Sequence, residues 1–104
     1  MGIQKDAGEL LVYCYEEQLK GNSTDSSEFK SVSGWDITRA LNAVRYLSDK
    51  GLIQGQISDQ GYFFVSRLLP QGIDIIENKN EFKNTFGFTV NLGVVSFSWG
   101  TKKE

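Results

Sequence analysis

The sequence predicts an α+β domain, and three features of the pattern predict it. Residues 36–50 repeat apolar side chains at helical spacing and stop at a glycine, Gly51. Residues 52–68 form two β-rich runs around a turn-forming stretch at 58–61. Pro70 then opens a further helical run. A chain of 104 residues suits one domain and is too short for two full cores. Its 39% apolar and 12% aromatic residues suffice for a packed interior, which a disordered chain would lack.

Along the chain, Ala7, Leu10, Leu11, Cys14, Tyr15 and Leu19 fall on one face of a helix expected from Asp6 to Lys20. Asp6 is the expected N-cap, with Glu9 completing an approximate capping box, and Gly21-Asn22 ends the helix. Residues 21–27 are rich in Ser, Thr, Asn and Asp and read as a loop. A short helix over 26–32 carries Phe29 and Val32 inward and breaks at Ser33-Gly34-Trp35. The next helix, 36–50, is capped by Asp36; Ile37, Ala40, Leu41, Val44 and Leu47 face one way, and Thr38, Arg39, Asn42, Arg45 and Asp49 another. Strands follow at 52–57 and 62–68, pairing as an antiparallel hairpin. The helix from Pro70 presents Ile73, Ile75 and Ile76 and fades at 78–80.

The tail reads differently. Phe86, Phe88, Val90 and Leu92 alternate with Thr85, Gly87, Thr89 and Asn91, which predicts a strand over 85–92. The parity switches after Gly93 to Val95, Phe97 and Trp99, so a second hairpin is expected. The division expected is therefore a domain over 1–80 and a β extension over 81–104, packed on that domain or on a second subunit.

Composition narrows the function classes. The chain has no histidine, the commonest general base and zinc ligand, and a single cysteine, Cys14, which has no thiol partner in the chain. Adjacent Glu16 and Glu17 diverge on a helix and do not form a convergent pair. The expectation is a protein without catalysis, metal or cofactor. No apolar run reaches the ~18 residues of a membrane span and no signal peptide is expected, so the expected compartment is the cytoplasm. Net charge is −2 but uneven: residues 1–28 carry Lys5 and Lys20 against six carboxylates, whereas residues 29–67 carry Lys30, Arg39, Arg45, Lys50 and Arg67 against Asp36, Asp49 and Asp59. The middle third is the basic part.

The stretch Ile37-Thr38-Arg39-Ala40-Leu41 through Tyr46-Leu47-Ser48-Asp49-Lys50-Gly51-Leu52-Ile53 resembles the recognition-helix-to-wing segment of winged helix-turn-helix transcription regulators of bacterial and archaeal type. Leu68-Leu69-Pro70-Gln71-Gly72-Ile73-Asp74-Ile75-Ile76-Glu77 looks like their usual sequel, in which Thr-Pro, any residue and Gly open the last helix. The resemblance covers roughly residues 6–78. The chain departs from the pattern at Leu69, where a hydroxyl cap is usual, at the wing tip Asp59-Gln60, which lacks Arg and Lys, and in its C-terminal strands.

That resemblance implies a helix-turn-helix plus a hairpin wing, with the long helix in the major groove of double-stranded DNA. It makes Arg39 a reader of guanine, Asn42 of adenine, and Thr38 a contact to a thymine methyl or a phosphate. Lys30, Arg45 and Lys50 would pair with phosphate, Trp35 would pack on the backbone or support the turn, and Gln60 would sit at the wing tip. It also implies a homodimer, for which the first helix, 6–20, and the C-terminal residues Phe86, Phe88, Val90, Val95, Phe97 and Trp99 are the expected surfaces. Two other readings compete. One is a protein-interaction adaptor on the same scaffold, favoured by the acidic total and the neutral wing. The other is a ligand sensor whose cavity Tyr13, Tyr15, Tyr62 and Phe63 would line.

Overall fold

The central element of the computed structural model, which describes residues 2–90, is the first helix, α1 (Ile3–Leu19), buried on most of its circumference from Asp6 to Tyr15. A helix enclosed in this way is a core element rather than a surface one. Around it pack α3 (Ile37–Asp49), α4 (Pro70–Ile76), α5 (Lys79–Phe86) and the sheet strand β3 (Phe63–Leu68). The described residues run α1, β1 (Thr24–Asp25), α2 (Ser26–Ser33), α3, β2 (Ile53–Ile57), β3, α4, α5, making among them an α+β domain of five helices and a three-stranded antiparallel sheet.

The helix starts three residues before Asp6, with Gly2 at its N-cap and no side-chain cap. Asp6 therefore lies inside the first turns, where an anion suits the helix dipole. Its carboxylate caps nothing, for a reason given below. At the other end of the fold's central motif, α3 closes in a Schellman arrangement: Gly51 N–H donates to Ser48 O and Leu52 N–H to Leu47 O, both at 3.0 Å. The left-handed φ of 74° at Gly51 suits a residue without Cβ, and this turn delivers the chain into β2.

The hairpin forms where the alternation places it, with Gln56 opposite Phe64 and Gln54 opposite Arg67. Ser66 is a bulge residue between the Val65 and Arg67 pairs; its hydroxyl donates to Gln54 O at 3.0 Å. Ile53, Phe63, Val65 and Leu68 point into the core, while Gln54, Gln56, Phe64, Ser66 and Arg67 face outward. The loop expected over 21–27 contains a third strand instead: Thr24 pairs with Val65 and Asp25 with Phe64, so the sheet order is β1-β3-β2. Asp25 then caps α2 by accepting from Glu28 N–H at 2.8 Å.

The largest correction concerns the tail. Where a strand was expected from 85, residues 79–86 form α5, and residues 87–90 form no strand. Asn78 starts the helix by accepting from Glu81 N–H at 3.0 Å, and Gly87 ends it. Phe82 and Phe86, four residues apart, turn inward with ring centroids 4.8 Å apart, and Phe88 packs edge-on against Phe82 at 5.2 Å. Phe86 and Phe88 close over α1 at Gly8, where an added Cβ would meet three of their side-chain atoms at 2.8 Å. Thus α5 belongs to the same core as α1, and the expected boundary at residue 80 falls within a helix. The rest of the expected β extension, including Leu92, Val95, Phe97 and Trp99, lies outside the described residues. Asn78→Ala should cost about 1 kcal/mol, the usual value of an N-cap; a urea midpoint equal to wild type would count against this helix start.

Candidate functional site

Helices α2 and α3 are joined by the three residues Gly34, Trp35 and Asp36. Asp36 caps α3 by accepting from Arg39 N–H at 2.9 Å. Ala40, Ala43, Val44 and Leu47 are buried against the core. On the opposite edge Thr38, Arg45 and Asp49 are exposed and Asn42 is half-buried. These positions recur at steps of three and four, so they form one row along the helix. Lys30 on α2 is exposed, and so are Lys50 at the end of α3 and Gln60 at the hairpin turn. Lys50 lies over the Tyr46 ring at 5.5 Å. The row on α3, with Lys30 and Lys50, is the candidate site; the hairpin contributes Gln60 without a cation at its tip.

Two expected contact residues have other tasks. Trp35 is only 2% exposed, and its ring meets Phe29 edge-on at 5.0 Å. It supports the turn from within and is unavailable to a groove. Arg39 packs its guanidinium 4.2 Å from the centre of the Trp35 ring and donates from Nε and a terminal nitrogen to both oxygens of Asp6, at 2.8 and 3.0 Å. This bidentate pair crosses from α3 to α1, and it explains why Asp6 is not a cap: the carboxylate is spent on Arg39. No sequence signal links positions 33 residues apart, so the partner was not visible in the chain.

Of the side chains expected to work between subunits, Phe86, Phe88 and Val90 pack within this chain's own core. Phe86 is 2% exposed and cannot serve a second subunit, because α1 already covers it. Phe88 and Val90 are half-buried against the same core. Tyr13, Tyr15 and Phe63, expected around a ligand cavity, are packed core residues. The Tyr13 hydroxyl donates to Glu28 at 3.5 Å and that of Tyr15 to Glu77. Among the described residues no group of three or more His, Cys, Asp or Glu could hold a metal ion, and no helix is long and apolar enough to cross a membrane.

Burial pushes the Cys14 thiol from 9.0 up to about 12, against a lowering hydrogen bond from Thr24, and the bond to Glu77 pushes Tyr15 from 10.0 up to about 12. Both groups are held in their neutral forms by the fold. Stability is therefore full below the unfolded value and falls as pH rises, because between pH 9.0 and about 12 the unfolded chain releases these protons first. Melting temperatures should decline steadily over that window, and a flat profile there would contradict the neutral burial of Cys14. No protein-family model, curated protein or solved structure matches the chain.

Proposed function

We propose that this domain is a non-catalytic, cytoplasmic double-stranded DNA-binding protein, a small transcriptional regulator that lays α3 in the major groove. The observation that carries the reading is the row of exposed Thr38, half-buried Asn42 and exposed Arg45 on a helix whose other side is anchored in the core. A winged helix-turn-helix assignment draws support from the element order, with α2 and α3 joined by a tight turn and followed by the β2–β3 hairpin. In this reading Asn42 meets adenine, Thr38 a thymine methyl or a phosphate, and Arg45, Lys30 and Lys50 phosphates. Arg39 and Trp35 are removed from the contact set. A two-fold DNA site presents half-sites about 34 Å apart, so the reading carries a homodimer with it.

The test is duplex binding followed by fluorescence anisotropy over a salt series. Affinity for random-sequence duplex should be measurable at low salt and fall steeply as salt rises. Arg45→Ala should weaken binding to all sequences alike and reduce the salt slope by about 1. Absence of binding to any duplex at low ionic strength would refute the proposal.

One observation favours a second reading. On and beside the hairpin, Tyr62 and Phe64 are 61% and 43% exposed, and the turn between the strands has no cation. Exposed aromatics without positive charge suit a protein contact better than a phosphate contact. A protein-interaction adaptor on the same scaffold is the reading that failure of the salt series would leave.

A further inference from the structure

Arg39 flanks the open row of α3, one turn from Asn42 and beside Thr38. A third of its side chain is exposed (33%), whereas the Asp6 side chain is 8% exposed. One of the two bidentate edges of the guanidinium, Nε with a terminal nitrogen, is filled by the two oxygens of Asp6. The guanidinium also lies over the Trp35 ring. Asp6, Glu9 and Asp36 all place negative potential on it. The row therefore has a cation beside it in the right place, with its charge cancelled from the first helix.

We propose that Asp6 is a charge mask on the recognition helix, withholding Arg39 from DNA and holding the affinity of this face below what its arginines would otherwise give. The inference rests on the DNA reading above. Carboxylate and phosphate compete for the same planar fork, and an intramolecular carboxylate already stripped of water holds the advantage. Replacing Asp6 with Asn removes the charge but keeps the side-chain shape and one acceptor oxygen, so the Trp35 stack has no reason to open. One more phosphate then becomes available to Arg39.

Anisotropy titrations on one random-sequence duplex, with wild type, Asp6→Asn, Arg39→Gln and the double variant, test this. Circular dichroism melts set a temperature at which all four are folded. Asp6→Asn should bind roughly tenfold tighter at low salt, the scale of one charge-assisted contact, with a salt slope steeper by about 0.9. Arg39→Gln alone should leave affinity within about twofold of wild type, and in the Asp6→Asn background it should erase the gain. A mere structural brace predicts the opposite sign, a loss of affinity in both single variants. Wild-type binding with no gain in Asp6→Asn overturns the mask and leaves the DNA reading standing. An Arg39→Gln loss as large as that of Arg45→Ala also overturns it, because Arg39 would then already be a contact. If neither wild type nor Asp6→Asn binds duplex at low salt, the DNA reading fails and the mask with it.

Discussion

Replacing Gly72 with alanine should lower the melting temperature by roughly 10–20 °C, from a cost of about 2–3 kcal/mol at about 4–8 °C per kcal/mol. The direction is diagnostic, because alanine in place of glycine inside a helix ordinarily gains about 1 kcal/mol. Gly72 sits in the first turn of α4, directly above the entry to β2. A Cβ there would lie 2.2 Å from Leu52 O, 3.1 Å from its carbonyl carbon and 3.3 Å from its Cα. These are backbone atoms and cannot rotate aside. The same oxygen accepts from Leu69 N–H at 2.9 Å, so moving it breaks the bond that seats Pro70 at the start of the helix. Gln71→Ala, at the exposed neighbouring position, should change the melting temperature by no more than a degree or two. Equal melting of Gly72→Ala and wild type would show that α4 does not touch Leu52 as described.

Phe29→Ala should cost about 3–5 kcal/mol, the range for emptying a buried aromatic site. Against a total of about 5–15 kcal/mol this is a large share. Phe29 is fully buried and receives the edges or faces of three rings: Tyr13 of α1 at 5.3 Å, Trp35 of the turn at 5.0 Å and Phe63 of β3 at 6.3 Å. Phe29 thus ties helix, turn and sheet together. The cavity would loosen Trp35, and through it the stacked Arg39. Urea unfolding followed by far-ultraviolet circular dichroism gives the cost. Phe29→Leu should lose less than half as much, since most of the volume is kept. A loss below about 1 kcal/mol for the alanine variant would mean that the three rings do not depend on Phe29.

Particular residues show why some of the fold was legible and some was not. The helix α3 and the hairpin were readable because their signals are local: Asp36 caps within three residues, and Gly51 stops the helix by its own backbone freedom. The strand β1 was not, because two residues carry no period; Thr24 and Asp25 extend only where β3 offers an edge. The α5 error had a readable remedy. Asn78 and Glu81 are spaced as a cap pair, and Phe82 and Phe86 are spaced for one helical face, but the alternation of Phe86, Phe88 and Val90 starts the expected strand at 85, inside this helix. The step of four from Phe82 and the period of two toward Phe88 meet at Phe86, and only packing against Gly8 decides between them.

The candidate site divides along the same line. The sequence by itself determined which residues lie along one edge of α3, since helical geometry follows from spacing alone. It equally marked Pro70 and Gly72 as the paired signal that opens the helix after the hairpin. Only the tertiary structure decided which of those polar groups are available. Asp6 and Arg39 are 33 positions apart, and a charge pair at that separation leaves no periodic trace. Whether an arginine faces solvent or a buried carboxylate depends on how two helices cross, and that is set by the shape of the whole core rather than by either segment.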